Sequence, residues 1–117
     1  MAANHWMITM VAALAESLRL CRAMGLDHEQ FIALLDGGPL GSSYALQKLD
    51  EMRHHEYPAG FPVRLALKDL ELVREVERSS RATMPLLDAV LERFMAAGPD
   101  LADQDLAAIF ELDEPSK

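Results

Sequence analysis

Between Asn4 and Met24 the residues Met7, Met10, Val11, Leu14, Leu18 and Cys21 recur at spacings of three and four. A period near 3.6 puts them on one side of an α-helix, so the chain opens with a long helix whose apolar stripe must be covered. Gly25 follows directly, free to take the left-handed conformation that ends many helices. The rest of the chain supports the same class: Ala and Leu number 36 of the 117 residues, whereas Val, Ile and Thr number only 10. Helix formers so outnumber strand formers that an all-α fold is expected. A chain of this length holds one domain and one core.

The punctuation divides it into about six helices. Leu26-Asp27-His28-Glu29-Gln30-Phe31 starts the second: Asp27 caps, Gln30 completes a capping box, and Leu26 and Phe31 have the spacing of a hydrophobic staple. That helix stops at Asp36-Gly37-Gly38-Pro39. A third opens at Ser42 or Ser43 and turns Leu46, Leu49 and Met52 inward. Arg53 to Pro62 reads as an exposed loop. The fourth helix, about Val63 to Arg78, carries one stripe of Val63, Ala66, Leu67, Leu70 and Val73 and another of Leu65, Leu72 and Val76, the pattern of a helix covered on two sides. Thr83-Met84-Pro85 starts the fifth, with Leu86, Leu87, Val90, Leu91, Phe94 and Met95 on a wide apolar face, and Gly98-Pro99 ends it. A last short helix, about Asp103 to Leu112, buries Leu106, Ile109 and Phe110. The domain is read as residues 1–113, with 114–117 an acidic tail expected to fray.

Charge and cysteine content exclude several functions. The net charge is −8, and residues 100–117 hold six acids and one lysine, so a basic nucleic-acid footprint is not expected. No apolar run approaches the ~18 residues of a spanning helix, and the amino end lacks the basic region of a secretion signal, which favours a soluble cytoplasmic protein with no membrane partner. The single cysteine, Cys21, forms no intrachain disulfide and reads as a buried thiol in a reducing compartment. His54-His55-Glu56 has no metal-ligand spacing to His5 or His28, so no metal site is expected. Gly37 to Ser43 lacks the preceding strand and following lysine of a phosphate cradle. No serine, cysteine or threonine stands in a context that supplies a base.

Two places carry more information. Asp69 projects between Val73 and Val76 within an apolar arc, where a charge is costly unless it is paired, hydrogen-bonded or left at the surface. Lys68 borders the second stripe beside Glu75 and by pattern is a snorkelling lysine. Asn4 and Trp6 stand at the start of the first helix, where Asn4 reads as its cap and Trp6 as a packing residue.

The order of these residues carries a resemblance. Asn4 opens a helix reading Val11-Ala12-Ala13-Leu14-Ala15-Glu16-Ser17-Leu18, followed by Gly25-Leu26-Asp27. Then come Gly38-Pro39-Leu40-Gly41-Ser42-Ser43, Phe61 seven residues before Lys68-Asp69-Leu70, and Asp103-Gln104-Asp105-Leu106-Ala107-Ala108. Across essentially all 117 residues this resembles the helical C-terminal domain of the β-hydroxyacid dehydrogenases, the 3-hydroxyisobutyrate dehydrogenase and tartronate semialdehyde reductase group, which has the fold of the 6-phosphogluconate dehydrogenase C-terminal domain.

The resemblance implies an oxidoreductase whose N-terminal Rossmann domain, absent from this chain, binds NAD or NADP, while the helical domain completes the substrate pocket and forms a homodimer. It implies Asn4 as the substrate-binding residue, Phe61 and Lys68 as cofactor-facing residues and Asp69 as their support. The family's catalytic lysine precedes the asparagine by four residues, which here falls one residue before Met1, so no catalytic residue is expected in the chain and the 117 residues alone are expected to be inactive and to bind no cofactor. Ala3 stands where many members have a second polar residue. A different reading of the same helices is a free-standing interaction module without catalysis.

Overall fold

The computed structural model describes residues 1–114, and among these it forms six α-helices and one 3-10 helix. The first helix, α1, spans Ala2–Ala23 and buries Ile8, Val11, Leu14, Ala15, Leu18 and Cys21, with Met7 and Met10 packed half-buried beside them. It ends as a Schellman turn: Leu26 N–H donates to the Cys21 carbonyl at 2.8 Å and Gly25 N–H to that of Arg22 at 3.0 Å, with Gly25 at φ +82°. Two residues on, Asp27 accepts from Gln30 N–H at 2.8 Å while the Gln30 side chain accepts from Asp27 N–H at 2.8 Å, the expected capping box at the head of α2 (His28–Leu35).

Ser42, rather than Ser43, caps α3 (Ser43–His54), accepting from Ala45 N–H at 3.1 Å. The helix runs two residues into the expected loop. It ends where His55 takes the left-handed conformation at φ 55°, which frees Glu56 N–H to reach the Glu51 carbonyl. α4 spans Val63–Ser79 and α5 spans Pro85–Ala96, with Pro85 in the first turn where its missing N–H costs nothing. Gly98–Leu101 forms one short turn, α6.

The chain closes with a 3-10 helix over Leu106–Asp113, and this differs from the expected one-sided α-helix starting near Asp103. Leu106, Ala107, Ala108, Ile109 and Phe110 are all buried in succession. A segment buried on every side is a plug, not an amphipathic surface helix, and it touches α1, α3, α4 and α5. Small Ala107 and Ala108 let the surrounding helices close around it. Glu114 accepts from Arg22 at 3.1 Å, whereas residues 115–117 of the expected frayed tail lie outside the described residues.

Two further expectations change. Trp6 does not pack inward: it is 67% exposed, because its position on α1 lies off the arc defined by Ile8, Val11 and Ala15. The two stripes of α4 also fare differently. Val63, Ala66, Leu70 and Val73 are buried with Leu67 packed beside them, whereas Leu65, Leu72 and Val76 remain exposed, so within the chain α4 is covered on one side only.

Candidate functional site

Asn4 is not the helix cap. It lies inside α1, whose cap position is Met1, so its amide is free of the role at the helix end. Instead Asn4 Nδ2 donates to Asp69 Oδ2 across to α4 at 2.9 Å, between groups 65 positions apart in sequence. The partner that the apolar arc of α4 requires for Asp69 is therefore this amide, and a hydrogen bond to a carboxylate fixes both side chains. One residue away Lys68 is exposed and makes no ion pair among the described residues. The result is an amide bonded to a carboxylate, with an exposed cation at the adjoining helix position.

Phe61 is placed by a separate set of bonds. It lies half-buried just ahead of α4, where Pro62 forms an isolated antiparallel bridge with Asp105. No side chain caps α4; its first N–H groups are satisfied by the other chain segment, Val63 N–H by the Gln104 carbonyl and Arg64 N–H by that of Ala102, each at 2.9 Å. Phe61 N–H donates to Asp105 Oδ1 at 3.0 Å and its carbonyl accepts from Leu106 N–H at 2.8 Å.

Asp105, which the sequence marks only as part of the run from Asp103 to Ala108, ties these segments together. Its carboxylate is fully buried and accepts from Gly60, Phe61 and Ala107 N–H and, at 2.8 Å, from Lys48 Nζ. Lys48 itself is buried on α3 and donates also to Glu51 at 3.0 Å. Burial alone pushes the Asp105 carboxyl up, but the lysine bond and the Phe61 and Ala107 N–H groups outweigh it and leave the acid below its ordinary value. Burial likewise works against charged Lys48, and the bonds to Asp105 and Glu51 reverse that, holding its ammonium above the ordinary lysine value. The one trace in the sequence is that Lys48 falls on the same face as Ala45, Leu49 and Met52, though a lysine there usually reaches solvent.

The histidine pair is drawn apart. His54 Nδ1 lies 3.0 Å from the Asp50 carbonyl, while His55 Nδ1 lies 2.7 Å from Glu111 Oε2, which also accepts from the Tyr57 hydroxyl. Among the described residues no three His, Cys, Asp or Glu side chains converge as metal ligands. Away from these residues, α1 and α5 enclose an open groove of about 400 Å³, floored by Ala12, Ala13, Ala89 and Val90. Thr9 Oγ1 and Arg19 Nη1 at this groove are buried without a hydrogen-bond partner among the described residues.

Comparison with known proteins bears on this arrangement. A family model described as the NAD-binding part of NADP-dependent 3-hydroxyisobutyrate dehydrogenase matches residues 1–112. Glyoxylate/succinic semialdehyde reductase 2 of Arabidopsis thaliana is 28% identical over 109 residues, covering 92% of this chain and 30% of that protein. Glyoxylate/succinic semialdehyde reductase 1 of the same plant is 29% identical, with coverage of 92% and 38%. The chain thus spans about a third of the length of these relatives. Two solved structures share the fold. One is a 3-hydroxyisobutyrate dehydrogenase of Salmonella typhimurium, with TM-score 0.84 and 20% identity over 95% of this chain and 39% of that one. The other is a 3-hydroxyisobutyrate dehydrogenase of Mycobacterium tuberculosis with L-serine, with TM-score 0.85 and 20% identity over 97% and 42%.

Proposed function

The chain belongs to the NADP-dependent 3-hydroxyisobutyrate dehydrogenase family, and from that membership we propose that it is the substrate-side, dimer-forming C-terminal domain of an NAD(P)-dependent 3-hydroxyacid dehydrogenase. The observation that supports this most is the Asn4–Asp69 hydrogen bond, 2.9 Å long and formed beside exposed Lys68. Held by Asp69, the Asn4 amide is oriented to bond a hydroxyl or carbonyl oxygen of a small substrate. Lys68, unpaired among the described residues, attracts an anionic substrate or a cofactor phosphate, and Phe61 supplies an apolar wall that excludes water. These residues fit one side of a dinucleotide. They do not hold one alone, because the chain has no glycine-rich dinucleotide fingerprint. The nicotinamide, when bound, gives or takes the hydride. In this reading the proton-transferring lysine stands one turn ahead of Asn4 on the same long helix, and the dinucleotide-binding domain supplies the cofactor cradle.

The dimer is assigned to the α1–α5 face, where Ala12, Ala13 and Ala89 permit close helix approach and two buried polar atoms lack partners among the described residues. No helix of the described residues is long and apolar enough to cross a membrane, and with the lone, buried Cys21 this is compatible with the proposed cytoplasmic location.

The coding sequence ahead of Met1 tests the assignment: an in-frame dinucleotide-binding region ending in a lysine directly before Met1 is expected, and its absence overturns it in favour of a non-catalytic module. The 117 residues alone are expected to show no NAD(P)-dependent oxidation of 3-hydroxyisobutyrate. Measurable turnover contradicts the division of labour.

A further inference from the structure

Phe61 is the only one of the four site residues whose backbone is fastened at both polar groups to one short segment. Its N–H donates to Asp105 at 3.0 Å and its carbonyl accepts from Leu106 N–H at 2.8 Å. The preceding residue, Gly60, donates to the same Asp105 oxygen at 3.1 Å. The position of Phe61 is therefore set by a carboxylate, and that carboxylate is fully buried. A buried carboxylate keeps its charge only with a partner, which Lys48 provides at 2.8 Å from α3.

Stability alone does not call for this pair, because apolar residues of similar volume in place of a buried ion pair are often neutral or stabilising. What apolar residues do not provide is an acceptor for Gly60, Phe61 and Ala107 N–H at once. The pair thus contributes geometry. We propose that Lys48 and Asp105 are positioning residues that hold Phe61 at the cofactor-facing edge of the site, so that α3 governs cofactor binding without touching the cofactor. This rests on the placement of Phe61 at the cofactor in the function proposed above.

The test is a cycle of NADPH and NADH dissociation constants, read by fluorescence titration on the dehydrogenase that carries this chain, for Phe61→Ala, Asp105→Asn and the pair. Each single change is expected to weaken binding ~10-fold, and the double change no more than either single one, because both remove the same wall. A double effect near the ~100-fold product overturns the proposal, since independent structural damage is additive. The second readout is amide exchange in the 117-residue chain. With Asp105→Asn the Gly60 and Phe61 amides are expected to exchange faster while the Leu49 and Phe94 amides keep their protection, and unchanged exchange at Gly60 and Phe61 also overturns the proposal. If Asp105→Asn does not fold, Lys48→Gln replaces it in both measurements. A Phe61→Ala protein that binds both cofactors normally overturns the placement of Phe61 at the cofactor, and this proposal with it, whereas faster exchange without the binding loss leaves only the structural half standing and counts as refutation.

Discussion

Lys48 on α3 and Tyr57 in the connection that follows it tie stability to pH. Bonds to Asp105 and Glu51 raise the Lys48 ammonium above its ordinary 10.5, and burial together with Glu111 raises the Tyr57 hydroxyl well above its ordinary 10.0. A group whose pKa is raised by folding stabilises fully below its unfolded value and loses that contribution as pH climbs through the folded one. Urea unfolding is therefore expected to show a plateau up to about pH 10 and a decline above it, with Tyr57→Phe reducing the slope of the decline. A flat profile to about pH 11 would refute this. At the acid end Asp105 works the other way: its pKa is lowered, so its contribution is present above about pH 4 and fades as pH falls through the depressed value. In the sequence Asp69 stood out by its place in an apolar arc, which left it either partnered or at the surface. Lys48 stood in one too, but a long side chain with a charged end usually escapes to solvent, so the pattern alone gives no reason to bury it.

At the scale of elements, boundaries written in local chemistry were legible, whereas the bonds that distant segments supply to those boundaries were not. Gly25, the Asp27–Gln30 box, the Ser42 cap and Pro85 each satisfy or remove N–H and C=O groups within a few residues, so spacing alone reveals them. The start of α4 was legible at Val63 from the prolines ahead of it and the apolar stripe after it, but not how its first N–H groups are satisfied, by the carbonyls of residues 102 and 104. The link between α2 and α3 is fixed by a close approach: a Cβ at Gly41 would lie 2.2 Å from the Leu35 carbonyl oxygen. Gly41→Ala must push two backbone segments apart, and by analogy with overpacking it is expected to cost ~1–3 kcal/mol in chemical denaturation. A loss within the ±0.5 kcal/mol typical of surface changes would show that the link yields freely.

Two of the apolar faces that the described residues leave exposed lie where the proposed function needs a neighbour. Leu65, Leu72 and Val76 run exposed along α4 on the arc between Asp69 and Lys68, beside the lysine proposed to face the cofactor. The α1–α5 groove, with Leu86 65% exposed at its edge, is the side assigned to a second copy. Ala13→Arg, at an exposed position in that groove, is expected to convert dimer to monomer in light scattering while leaving thermal stability of the monomer near the wild-type value. A wild-type chain that stays monomeric at high micromolar concentration counts against the groove as the dimer face. By itself the sequence determined the helical class, most helix limits and the main apolar stripes, because periodicity and capping act over short stretches of chain. Tertiary structure alone decided that Asn4 meets Asp69, that Trp6 stays outside, that residues 106–110 form a central plug and that Lys48 is buried against Asp105. Those outcomes depend on segments tens of residues apart, where the choice of partner follows from how every other helix packs.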